Sequence, residues 1–176
     1  MKCSTNKSKV VIAIVGDEMQ GKTTSICCLA KLIQLAGKKQ LYPTKKRFYH
    51  EVTLYGTYSK LYDGSKSRVG ITTFGDNISL LKTHFVPLIL NYQCDIVVVA
   101  CHNDSAQPGS TLDFVRSQAS ANAYKLIVTS VIRDDSSPLV PARTRRQQGA
   151  GNVCINGIEI NQVFASNMIN LINSLV

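Results

Sequence analysis

Residues Gly16, Asp17, Glu18, Met19, Gln20, Gly21, Lys22 and Thr23 have the types and the spacing to hold phosphate. The two glycines permit backbone angles that aim successive N–H groups inward, which makes a nest for an anion. A helix opening near Lys22 adds its positive N-terminal end. The Lys22 ammonium can reach phosphate oxygens, and the Thr23 hydroxyl can ligate Mg2+. Thr24, next in the chain, joins the same set.

Such a turn needs a buried strand before it and a helix after it, and the flanking residues predict both. Residues 9–15 are a continuous β-branched run suited to a strand buried on both faces. Residues 24–36 place Ile26, Leu29, Ala30 and Ile33 at helical spacing, with Gly37 as a C-terminal stop. Residues 48–58 and 67–74 read as strands. Between them Asp63-Gly64 predicts a hairpin, in which both central turn positions want positive φ. Residues 77–92 predict a helix with a kink near Pro87. Residues 95–101 predict a central Val-rich strand, and 110–121 a helix with Ser110 and Asp113 as its capping pair. Residues 124–132 predict another buried strand, 134–151 a long polar and basic loop, and 159–175 a closing amphipathic helix. The expected fold is one α/β domain over residues 1–176: a mainly parallel sheet with an antiparallel hairpin strand and helices on both faces.

The motif in this context resembles the P-loop NTPase superfamily, and the resemblance covers most of the chain. The Gly-Lys-Thr-Thr ending, the hairpin and the glycine at position 75 resemble the GTPase-related branch and its small ATPase relatives. The resemblance implies a P-loop fold, a bound nucleoside triphosphate with Mg2+, and NTP hydrolysis. In that branch an Asp-x-x-Gly element ends the strand beside the P-loop strand. The matching stretch here is Thr72-Thr73-Phe74-Gly75, with Thr72 in the acidic place and Asp76 one residue past the glycine. Asp76 is therefore expected, with Thr23, to hold the metal, and with Lys22 to serve catalysis. The alternative for Asp76 is an N-cap on the following helix. Thr44 matches by position the threonine that contacts magnesium in those families. Lys45, Lys46 and Arg47 beside it read equally as a solvated basic run.

Direction decides which other residues can help. A strand over 67–74 parallel to the first brings Gly75 and Asp76 to the carboxyl edge, where ligands of such sheets bind. Asp95 starts its strand and belongs at the opposite edge, in a capping or surface role. His102, Asn103, Asp104 and the turn to Gly109 reach the carboxyl edge and could hold a small acceptor or position water. GTPases of the resembling families read guanine with Asn/Thr-Lys-x-Asp. The stretch from Thr129 to Asp134 lacks that lysine and spaces Asp134 wrongly, which leaves ATP ahead of GTP.

Composition sets the outer limits. The chain has 176 residues, 44% of them apolar, and a net charge of +9. A chain of this size buries roughly 70% of its unfolded surface and holds a core without staples. No apolar run reaches the ~18 residues of a membrane span, and no leader peptide is expected. The six cysteines form no C-x-x-C pair and read as core residues in a reducing, cytoplasmic setting. Basic residues cluster at Lys38, Lys39 and 45–47, and at Arg143, Arg145 and Arg146. No aromatic-and-basic RNA motif or helix-turn-helix pattern accompanies them, which argues against nucleic acid. Three functions are the resulting expectations: an ATPase, a phosphotransferase with the arginines as a basic lid, and a low-turnover nucleotide-binding module.

Overall fold

The computed structural model describes residues 9–16, 21–42, 52–60, 63–102, 109–130 and 153–176, the last of these by backbone alone up to residue 163. The elements are β1 (Val10–Val15), α1 (Lys22–Leu32), β2 (Leu35–Tyr42), β3 (Thr53–Ser59), β4 (Lys66–Thr72), α2 (Ile78–His84), α3 (Val86–Leu90), β5 (Ile96–Cys101), α4 (Thr111–Ala121), β6 (Lys125–Ser130) and α5 (Val153–Leu175). The six strands form one sheet in the order β2-β3-β4-β5-β1-β6. β1 runs parallel to β5 and β6, and β4 parallel to β5; β3 is antiparallel to both β2 and β4, so β3 alone opposes the rest.

β1 and β5 are buried along their whole length, as their unbroken apolar runs require. Alternation of side chains splits β1 between two cores. Val10, Ile12 and Ile14 pack with Ile26 and Leu29 of α1 and with Ala165, Met168 and Ile172 of α5. Val11, Ala13 and Val15 pack on the other face with Leu81, Phe85, Leu88, Val115 and Ala119. The expected mixed α/β sheet with helices on both faces is therefore present.

Several expectations need correction. α1 ends at Leu32, where Ile33 already has an extended backbone. Residues 35–42 continue as β2 rather than as helix. Gly37, with φ +62, lies in a register shift between Ala36 and Lys39, so it serves a bulge and not a helix stop. The hairpin loop runs from Lys60 to Ser65, closed by a 2.9 Å bond from Lys60 N–H to the Ser65 carbonyl. Gly64 has positive φ but Asp63 does not. Asp63 instead accepts from Ser65 N–H at 2.9 Å. The helix expected over 77–92 is two helices that meet at Phe85, because Pro87 supplies no N–H for the ladder. β6 is not buried: among the described residues it pairs only with β1, and its side chains are half-buried or exposed, Val128 among them. α5 starts at Val153, six residues before the expected start. The loop over 134–151 lies outside the described residues.

Candidate functional site at the carboxyl edge of the sheet

β1, β4 and β5 point their C-terminal ends the same way. Val15 lies opposite Cys101 in the β1–β5 register, and Thr72 opposite Val99 in the β4–β5 register. The residues that leave these strands therefore collect at one edge: Gly16 after β1, Thr73 to Asp76 after β4, and His102 after β5.

Gly21 is the N-cap of α1 with φ 90 and ψ 13, left-handed angles that suit glycine. Its carbonyl accepts from Ser25 N–H at 2.8 Å, which starts the helix. Lys22 is the first helical residue and is only 7% exposed. Its ammonium donates to the Gly16 carbonyl and so ties the two ends of the turn together. The Lys22 charge also reaches Cys101. Burial pushes that thiol up to about 12, and Lys22 acts against the shift. Lys22 thus stands between the first strand's exit and the end of β5. Thr23 is half-buried and Thr24 exposed. Asp17, Glu18, Met19 and Gln20 lie outside the described residues.

β5, not β4, is the neighbour of β1. The strand ending in Thr72-Thr73-Phe74-Gly75 is one place further out, so Thr72 does not stand where the resemblance puts an acidic residue. Thr72 is fully buried, and its hydroxyl is 2.9 Å from that of Thr53. The Thr53 hydroxyl is 3.2 Å from His84 Nδ1, and Phe74 stacks on the His84 ring at 3.8 Å. Burial lowers the His84 pKa. Thr73 N–H bonds the Val52 carbonyl at 2.9 Å. These contacts fix the chain as it leaves β4.

Gly75 then lies against the backbone of β5. A Cβ there would stand 1.7 Å from the Ala100 carbonyl oxygen and 3.0 Å from the Cys101 nitrogen. This crossing brings Asp76 to His102, with Oδ1 3.4 Å from Nε2. The Asp76 side chain is 62% exposed and the His102 side chain 18%. Asn77, not Asp76, caps α2: its Oδ1 accepts from Leu80 N–H at 2.9 Å. The capping role considered for Asp76 is thereby corrected, and its carboxylate is left facing the edge.

His102 N–H donates to the Thr111 hydroxyl at 2.9 Å, at the start of α4. Ser110 caps that helix by accepting from Asp113 N–H at 3.1 Å, in line with the spacing of the two residues. Asp95 sits at the opposite edge, where its carboxylate accepts from Arg68 N–H at 2.7 Å and its carbonyl from Val10 N–H at 2.8 Å. Its structural role is as expected. Asn103 and Asp104 lie outside the described residues, as do Thr44, Lys45, Lys46 and Arg47, residues 131–134 of the guanine comparison, and Arg143, Arg145 and Arg146.

Neither the Gly75–β5 crossing nor the Thr111 support of His102 is among the expectations from sequence. Gly75 comes directly after the strand, and a threonine opens the helix after His102, but only strand adjacency gives either a meaning. Among the described residues no group of three or more His, Cys, Asp or Glu could hold a metal ion by itself. A magnesium ion carried by phosphates needs less: one or two protein oxygens suffice. The Thr23 hydroxyl and the Asp76 carboxylate are of the right chemistry. Among the described residues no helix is long and apolar enough to cross a membrane. Comparison of the chain with known families, characterised proteins and solved structures gives no match.

Proposed function

We propose that the chain is a P-loop protein that binds ATP with Mg2+ in the turn of residues 16–23 and hydrolyses it. The observation that carries this reading is the place of Lys22. A buried ammonium at the first turn of α1 stands at the edge where β1, β4 and β5 end, beside a glycine with left-handed backbone. The ammonium meets the Gly16 carbonyl, and a phosphate at the same edge would share that ammonium while lying at the positive N-terminal end of α1.

In this reading Gly16 and Gly21 shape the turn, and the N–H groups of residues 21–24 face the phosphates. Lys22 binds between the β- and γ-phosphates, which requires it to give up part of its contact with the Gly16 carbonyl. The Thr23 hydroxyl and, through water, the Asp76 carboxylate would hold Mg2+, which when bound would supply positive charge to the phosphates as water attacks the γ-phosphorus and ADP leaves.

Phosphate release from ATP, measured with Mg2+ alone and then with a panel of nucleoside monophosphates and other small acceptors, tests the reaction. Release without acceptor supports the ATPase. ADP formation that depends on an acceptor would instead make the protein a phosphotransferase. Tight ATP binding with no release under any condition would make it a binding module.

A further inference from the structure

We propose that His102 is a positioning residue for Asp76, so that the ends of β4 and β5 act as one metal-holding unit. This rests on the ATP reading above, and it concerns how that site takes Mg2+.

Five observations lead to it. The chain leaving β4 cannot stand off from β5, because Gly75 packs directly on the Ala100 carbonyl. Asp76 is thereby carried over the end of β5 to His102. The capping of α2 is done by Asn77, which leaves the Asp76 carboxylate with no part in the helix start. His102 is itself anchored, through its N–H to Thr111, a buried residue in the first turn of α4. The exposures differ in the sense the proposal requires: the ring is mostly covered, and the carboxylate faces outward.

The chemistry is that of a partner behind a ligand. His102 Nε2 lies 3.4 Å from Asp76 Oδ1 and, as an N–H donor, would turn that oxygen toward the ring and set the direction of the carboxylate. The other carboxylate oxygen is left to accept from a metal-bound water. A ligand held in one rotamer loses less freedom on binding than one that swings. Partners of a direct ligand typically change metal affinity by about 10- to 100-fold, and one behind a carboxylate that acts through water belongs at the low end of that range. The same contact, exposed on one side and 3.4 Å long, contributes little to folding. Its loss should therefore appear in metal linkage and not in the melting temperature.

Titration calorimetry with ATP, once with Mg2+ and once with EDTA, gives the factor by which the metal tightens binding. His102→Ala should lower that factor by about 10-fold and leave metal-free ATP affinity and Tm unchanged. Asp76→Asn should do the same, and the double variant should lose no more than either single one. His102→Gln should restore most of the factor, because its terminal amide nitrogen reaches the place of Nε2. His102→Asn is too short to do so. A parent factor in His102→Ala, or losses that add in the double variant, would overturn the role of His102 while ATP binding stood. Absence of ATP binding in the parent would overturn both readings. Should His102→Ala fail to fold, Gln against Asn carries the test, and equal factors in those two would overturn the role.

Discussion

Replacing Gly75 by alanine should both destabilise the fold and uncouple Asp76 from the site. Gly75 has no positive φ, so the demand there is for space and not for an unusual backbone angle. A Cβ at this position would lie 1.7 Å from the Ala100 oxygen and 2.3 Å from the Ala100 carbon. Real Cβ atoms essentially never come within 3.0 Å of such an atom, so the two segments must part by more than an ångström. Both atoms belong to the backbone of the central strand β5, which cannot rotate out of the way. Gly70→Ala is the internal control. There the nearest atoms are Cys94 Sγ at 2.9 Å and the Leu88 methyls at 3.1 and 3.2 Å, all of which belong to side chains. Overpacking of a core costs about 1–3 kcal/mol, so Gly70→Ala belongs at the low end and Gly75→Ala at or beyond the high end. For a chain of this length that is a fall in Tm of roughly 2–4 °C for each kcal/mol, hence about 6–12 °C for Gly75→Ala. Thermal unfolding of parent and both variants gives the comparison. ATP titration with and without Mg2+ should also show a smaller metal effect in Gly75→Ala alone. A Tm within about 2 °C of the parent, with the metal effect intact, would refute the claim that this crossing builds the site.

Other outcomes rest on the same geometry. Thr72→Asp should not supply a missing catalytic acid: the side chain is fully buried beside the Thr53 hydroxyl, and a lone carboxylate there should cost roughly 3 kcal/mol or more in urea unfolding, with no gain in phosphate release. Thr23→Ala should keep the parent Tm and reduce the tightening of ATP binding by Mg2+; an equal metal effect in both proteins would remove Thr23 from the metal. Burial raises Cys94 from 9.0 to about 12, so its contribution is fully present below about pH 9 and is lost toward pH 12, as the unfolded chain ionises first. Cys94→Ala should accordingly flatten the alkaline fall in unfolding free energy by about 1.4 kcal/mol per pH unit in that range, and an unchanged slope would show that the thiol ionises as easily folded as unfolded.

The parts of the site that rest on local pattern were readable from the residues. Strand, glycine turn and helix around Lys22 follow from a β-branched run, two glycines and apolar residues at helical spacing. The expected parallel course of β4 placed Asp76 at the carboxyl edge, the position of Asp95 at the start of β5 placed it at the other, and the hairpin set only β3 against β4. Lateral order was not readable. Whether β4 or β5 lies beside β1 is decided by long crossover connections, and the residues of neither strand encode it. The same holds for β6: Leu126, Ile127 and Val128 read as a core run, but a strand with one neighbour leaves part of them uncovered. β2 is not legible because Leu35 to Tyr42 is polar in its middle and bulged, and Gly37 fits a helix stop and a bulge equally well. Asn77 and Asp76 are both good caps by type, and only the bond to Leu80 N–H separates them.

The claim on which the rest depends is that residues 16–23 bind nucleotide, and calorimetric titration of ATP with Mg2+ into the parent and into Lys22→Ala tests it most directly. Saturable binding at one site is expected in the parent and none measurable in the variant, which should still fold because α1 keeps its Gly21 cap and its apolar face, with a lower Tm from the lost bond to the Gly16 carbonyl. Equal affinity in the two proteins would contradict the assignment of the site, and no binding of ATP or GTP by the parent would contradict the function.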